Sequence, residues 1–348
     1  MNKSENRCYD RAVSKKSQWA TIIALSGCLA IFSSLTSAYI HPRFLHHAEA
    51  VYNQFAILKG LPFHIDGKEV EMLPQYQSRV LFPVLLKGLT ETHLMSASQF
   101  FIVLQIAVAF VGYLIFLLAC TKVEGVPVKT AGIGAGFLAY ALVFMFGSSS
   151  WEQPTDFLDV AFFSAFLALA LQKRRTVFAL TVLLATLSHQ TAAFGGVIWF
   201  FLWGLDEREL KPKWWEAVFG GVLIIGSYAL QTAVKFLFGG AGQSVGYVIN
   251  GWFTISQFVD FFRHPTPLGW VVLLVAMVMP VILWLWSNRE FVQGDVRRLV
   301  QASLCIVVLG SPIAFWPELR SVFLAPVLVA TFAATVAEAR SQCKLTCH

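Results

Sequence analysis

Charge is what this sequence has least of: 13% of its residues are charged against 57% hydrophobic, with a mean hydropathy of +0.64. Soluble domains carry about a quarter charged residues, so 348 residues folded as two soluble domains is excluded. Cysteine is also sparse, at six: Cys8, Cys28, Cys120, Cys305, Cys343 and Cys347. None falls in a loop predicted to face outward, which argues against a disulfide framework. Cys343 and Cys347 alone are too few for a zinc knuckle. No Walker loop, dinucleotide fingerprint, HExxH or GxSxG occurs. Their absence disfavours ATP-driven transport, soluble-cofactor redox chemistry and the common proteases. The net charge of +6 comes from short basic clusters between apolar runs, not from a basic stripe interleaved with aromatics. Nucleic acid is therefore not an expected partner.

What is present is a succession of apolar runs. A spanning helix needs about 20 apolar residues. The candidates are Trp19–Ile40, Phe100–Cys120, Thr130–Ser148, Phe157–Leu171, Val177–Leu187, Ala192–Leu205, Ala217–Phe238, Leu268–Trp286, Leu299–Ile313 and Val322–Ala337. The run Ala20–Ile40 is long for a signal peptide and lacks a small-x-small cleavage site, so it reads as a retained first helix. Ser78–Thr92 is amphipathic and is predicted to lie in the membrane interface.

The segment Thr176–Leu205 decides the topology. One helix would run about 45 Å, well beyond a core of about 30 Å. Broken at Ser188-His189-Gln190-Thr191 into a hairpin, it gives ten helices with both termini inside. That places 18 of the 26 Lys and Arg on the cytoplasmic side, whereas a single helix divides them evenly. The positive-inside rule selects the hairpin. The expectation is one all-α transmembrane domain over residues 1–348 in a plasma membrane, with a bacterial inner membrane favoured. Residues 1–18 and 338–348 form cytoplasmic tails, and 41–99 form the first outer loop.

The outer segments hold most of the residues able to do chemistry. Glu49 stands near the start of a predicted helix, Ala48–Leu58, which the Gly60-Leu61-Pro62 breaker ends. It reads either as a general base for a hydroxyl acceptor or as a surface capping carboxylate. Arg79, where water meets an apolar stretch, reads either as a bidentate phosphate ligand or as a side chain snorkelling to headgroups. Glu152, Asp156 and Asp159 lie close together, and Asp156 and Asp159 share one helical face. They read as a divalent-cation site, or as a cap plus one intramembrane carboxylate paired inside the bundle. His189 and Gln190, at the hairpin tip, are either turn formers or the lining of a substrate cavity. Glu318 and Arg320 sit in a tight outer turn, as a mutual pair or with Arg320 holding an anionic headgroup. Arg263-His264 is a further anion candidate.

Taken together, the first 95 residues resemble the start of a type-C glycosyltransferase, a polytopic enzyme that uses polyprenyl-phosphate-linked sugars. The match is the pattern acid-x-x-Tyr-x-x-x-Ala-x-x-x-Gly-x-Pro-aromatic, carried by Glu49, Tyr52, Ala56, Gly60, Pro62 and Phe63, followed by Tyr-x-x-Arg-x-Leu-x-Pro from Tyr76 to Pro83. Glu318-Leu319-Arg320 also resembles later outer turns of such proteins. The chain departs from the family in having Glu where Asp is usual, and His189-Gln190 where bacterial relatives often show Arg-Glu. No large outer C-terminal domain is expected to follow.

The resemblance implies that Glu49 activates the acceptor and that Arg79 or Arg320 holds the donor phosphate. Tyr52, Glu152, Asp156, His189, Gln190, Arg263 and Glu318 complete the candidate substrate site. A divalent cation is admissible at Asp156 and Asp159, and no other cofactor is expected. The implied partners are a polyprenyl-phosphate-linked sugar, the bilayer, and an envelope lipid, glycan or protein acceptor. The rivals are an envelope polysaccharide polymerase, a transporter or flippase, and an assembly partner without activity. Few ionisable residues lie within the predicted spans, namely Asp159 near one end and Lys235 near another. This sparse interior favours chemistry at one face over passage through the membrane.

Overall fold

The computed structural model of the chain describes residues 15–40, 64–65, 68–69, 80–147, 155–205, 213–237, 279–310 and 319–346. These residues are almost wholly helical; the exception is a two-residue antiparallel ladder pairing β1 (His64–Ile65) with β2 (Lys68–Glu69). Among the described residues four helical segments are long and apolar enough to cross a membrane: Ser17–Ser37, Gln99–Val123, Trp214–Val234 and Phe323–Leu345.

The first helix, α1 (Lys15–Ile40), shows what solvent the fold expects. Its buried face is Ile22, Ser26, Ala30, Ser33, Ser34 and Ser37, whereas Ile23, Ile31, Phe32 and Leu35 stand about half exposed. In water this arrangement is back to front. In lipid it is the expected one, because small residues let helix backbones approach and large apolar ones meet acyl chains. Two of the serine hydroxyls are satisfied within the helix: Ser26 donates to the Ile22 carbonyl and Ser33 to the Leu29 carbonyl, each at 2.8 Å.

α2 (Leu81–Thr90) is the predicted interfacial piece, burying Phe82, Pro83 and Leu86. Pro83 lies in its first turn, where the missing N–H costs nothing. α3 (Ala97–Leu118) starts at a capping box between Ser96 and Gln99 and continues as a π-turn to Val123. α4 (Val128–Gly147) and α5 (Thr155–Leu171) follow, and α5 packs along α3. α1 lies across α3 and α4.

The segment that decides the topology folds back on itself. α6 (Arg175–Thr186) ends in a turn, after which a 3-10 turn (Gln190–Ala193), α7 (Phe194–Trp199) and a π-turn (Phe200–Gly204) return alongside it. A methyl group on Gly195 would strike Val182, Phe178 meets Trp199 with ring centroids 5.9 Å apart, and the Arg175 guanidinium lies over Trp203. These pairs are antiparallel, so the segment is a hairpin. α8 (Trp214–Leu237) packs against both legs. After a helical stretch over residues 279–287, α9 (Gly294–Gly310) packs on α10 (Leu319–Thr346) and on the return leg of the hairpin, and α10 packs against α4 and α5.

Polar ties gather four connections and the last helix at one end. Lys173 pairs with Asp295 and Arg175 with Glu216. Arg340 donates to Glu124 at 2.8 Å and to the Phe291 carbonyl at 3.1 Å, and Arg298 to the Leu202 carbonyl at 2.9 Å. These are the basic loops that the sequence assigns together to one side. Gly125 and Gly294 supply positive φ at the turns there.

Candidate functional site

The site is built at the hairpin turn. His189 adopts an extended conformation and caps the 3-10 turn, its Nδ1 accepting the Thr191 N–H at 3.2 Å. The Thr191 hydroxyl lies 2.8 Å from the same Nδ1 and donates to Asp159 Oδ2 at 2.9 Å. The carboxylate and the imidazole are themselves 3.4 Å apart. All three side chains are buried, at 4% exposed for Asp159, 0% for His189 and 5% for Thr191. A backbone N–H can only donate, so Nδ1 is an acceptor and the ring carries its proton on Nε2.

Two further contacts fix the turn. Thr186 donates to Ser227 of α8 at 3.1 Å, and the Gln231 amide of α8 reaches the Thr186 carbonyl at 3.4 Å. From the other side, the Leu81 N–H at the start of α2 donates to the Leu187 carbonyl at 3.0 Å. The first turn of a helix has N–H groups without intrahelical partners, and one of them is spent holding α2 on the hairpin.

Of the residues singled out in the sequence, Asp159 and His189 are brought together, although the sequence presented them as separate signals in different segments. His189 is a buried turn former; it does not line an exposed tip. Gln190 opens the 3-10 turn, Asp156 sits in the first turn of α5 and Arg320 in that of α10; their side chains lie outside the described residues. Glu49, Tyr52, Arg79, Glu152, Arg263 and Glu318 lie outside the described residues altogether. Among the described residues no group of three His, Cys, Asp or Glu is placed to hold a metal ion. Thr191 joins the two named residues, and the sequence offered only its place in the tip to mark it.

The depth of this cluster differs from the sequence reading. Asp159 is near the start of α5, as expected, but α5 starts well down the side of α3. A methyl group on Gly112 of α3 would lie 3.2 Å from the Ala161 backbone nitrogen. Gly112 is close to the middle of the segment Gln99–Val123. Asp159, two residues outward from Ala161, is therefore level with the centre of α3.

On its other face α5 turns Leu158, Ala161 and Ala165 towards an open apolar groove of about 320 Å³, bordered by Val108 and Val111 of α3 and Thr181 of α6. The small alanines leave the space, and the lining is suited to a hydrocarbon chain.

Compared with known proteins, the chain matches no family model, no curated protein and no solved structure.

Proposed function

We propose that the chain is a membrane glycosyltransferase that moves a sugar from a polyprenyl-phosphate-linked donor to an envelope lipid, glycan or protein at the extracytoplasmic face. The observation that carries this reading is the docking of α2 on the hairpin turn through Leu81 and Leu187. Arg79 precedes Leu81 by two residues in the sequence, and in this reading it meets the donor phosphate beside the turn that carries His189. The apolar groove beside α5 offers a place for part of the lipid tail.

In this reading Glu49 takes the proton of the acceptor hydroxyl, and the hydroxyl oxygen forms the new bond to the anomeric carbon. The bond from that carbon to the phosphate oxygen breaks, and the leaving polyprenyl phosphate keeps the electron pair. Arg79 and Arg320 stabilise its charge at a rim of low dielectric.

Purification of wild type and Glu49→Gln from membranes, followed by mass spectrometry of the retained lipids, tests the assignment. A polyprenyl-phosphate sugar held by the variant and depleted in wild type is expected. Ordinary phospholipid alone in both, from folded protein, would overturn it. That result would favour the second reading, a transporter or flippase, for which one observation speaks: a carboxylate and an imidazole level with the middle of a spanning helix.

A further inference from the structure

Both legs of the hairpin are short. α6 has 12 residues and the return from Gln190 to Gly204 has 15, which give about 18 and about 22 Å against a hydrocarbon core of about 30 Å. The legs start at the end where Arg175 pairs with Glu216, and the turn between them stands level with the centre of α3. This is the geometry of a re-entrant hairpin, in which irregular backbone at membrane depth is tolerated because protein surrounds it. α2 covers it from the far side through Leu81.

At that depth the Asp159–Thr191–His189 array has one hydroxyl proton between two acceptors. Thr191 Oγ1 is 2.8 Å from Nδ1 and 2.9 Å from Oδ2. With Asp159 ionised, the hydroxyl donates to the carboxylate and Nδ1 keeps the Thr191 N–H. A proton added to Oδ2 is donated to Oγ1, and the hydroxyl swings to donate to Nδ1. No heavy atom moves and no bond of the array is lost. We propose that Asp159, Thr191 and His189 form a mid-membrane proton-binding site, with the proton held on the Asp159 carboxyl and the Thr191 hydroxyl reversing to accommodate it. The proposal stands on the membrane reading and not on glycosyl transfer.

A second observation points the same way. Neutral polar groups without a hydrogen-bond partner lie near this depth: the hydroxyls of Ser188 and Ser164, both fully buried, and the side-chain amide of Gln105 on α3. Unpaired polar atoms are costly in a bilayer and mark where water or a proton path is accommodated. Ser188 adjoins His189, Ser164 lies about 7.5 Å further along α5, and Gln105 stands outward on α3. Hydroxyl and amide groups of this kind relay protons without adding charge.

Among the described residues the titratable neighbours are few. α3 contributes Tyr113 at this depth, its hydroxyl beside Ser33 of α1. Tyr228 of α8 is half exposed on the outer surface of its helix. From α6 and α8, Arg175 and Glu216 are engaged with each other at the far end, and Glu338 and Arg340 of α10 are engaged there with Trp284, Asn288 and Glu124. Arg79, close in sequence to Leu81, and the side chains of Asp156, Lys235 and Arg320 lie outside the described residues.

The test is infrared difference spectroscopy of the full chain in lipid nanodiscs, recorded while pH is lowered over the range in which the protein stays folded. Wild type is expected to gain one carboxylic-acid C=O band, which Asp159→Asn lacks. Thr191→Val should displace the midpoint of that band by at least about tenfold in proton concentration, about one pH unit. Thr191→Ser, which restores the hydroxyl, should return it close to wild type. No such band in wild type, an unchanged band in Asp159→Asn, or a Thr191→Val midpoint equal to wild type would overturn the proposal. If Asp159→Asn does not fold, the Val and Ser pair decides, because a merely structural threonine would leave the midpoint in place.

Discussion

Gly134 of α4 meets Thr335 of α10 where no larger residue fits. A Cβ there would stand 2.0 Å from Thr335 Oγ1 and 3.1 Å from its Cβ and Cγ2. The hydroxyl cannot swing aside freely, because it donates to the Thr331 carbonyl at 2.7 Å. Gly134→Ala is therefore expected to destabilise by about 1–3 kcal/mol, the usual cost of overpacking. Thermal unfolding in detergent checks this, with Thr335→Ala in the same chain restoring part of the loss. Gly136, two residues on, has nothing within 4 Å of where a Cβ would lie, so Gly136→Ala should leave the melting point nearly unchanged. A penalty equal at both positions would mean that the helix backbone, and not the contact, is responsible. The two glycines look alike in the sequence; only the partner helix tells them apart.

The hairpin shows which elements the sequence could and could not reveal. Its reversal was readable, from the balance of Lys and Arg and not from hydropathy, since Thr176–Leu205 is apolar enough to pass as one overlong helix. The helix Leu81–Thr90 was readable from its amphipathic pattern. The meeting of Asp159 with His189 was not, because their segments are joined only by the way α5 and α6 pack, and sequence spacing carries no record of that. Depth was hidden for a related reason: counting from the start of α5 places Asp159 near an end, and only its register against Gly112 of α3 moves it to the middle. At the opposite end the hairpin is held by Glu216 of α8, whose two oxygens engage Arg175 and the Trp199 indole, the latter at 3.2 Å. Arg175 is about half exposed, so the ion pair itself contributes at most about 1 kcal/mol. The indole N–H belongs to a buried side chain, and leaving it unpaired costs about 1–3 kcal/mol. Denaturation should thus find Glu216→Ala less stable by about 1–3 kcal/mol and Glu216→Gln, which keeps an acceptor, less stable by under about 1 kcal/mol. Equal losses would show that charge, not the indole bond, holds the hairpin.

For the molecule as a whole, the count of spans and the sidedness of the loops are separate questions. A hairpin returns the chain to the side it left whether its turn reaches the outer surface or stops at mid-depth. The basic loops therefore face the same way with ten full spans or with eight and a re-entrant pair. What would invert the downstream loops is a single helix through Thr176–Leu205, and the contacts Val182–Gly195 and Phe178–Trp199 are incompatible with it. The clustering of Lys173–Asp295, Arg175–Glu216 and Arg340–Glu124 says independently that loops far apart in sequence share one end. From the excess of Lys and Arg there we propose that this end faces the cytoplasm. A fluorescent protein that matures only in the cytoplasm should therefore shine when fused after His348. A periplasmic phosphatase should be active when inserted in the turn at Thr92–Leu94 between α2 and α3, and inactive at Gly125 or after His348. Phosphatase activity at the C-terminal fusion with none at Gly125 would place Gly125 and Arg340 on opposite sides. Because Arg340 and Glu124 are 2.8 Å apart, that result would overturn both the sidedness and the packing of α10 against α4 from which it follows.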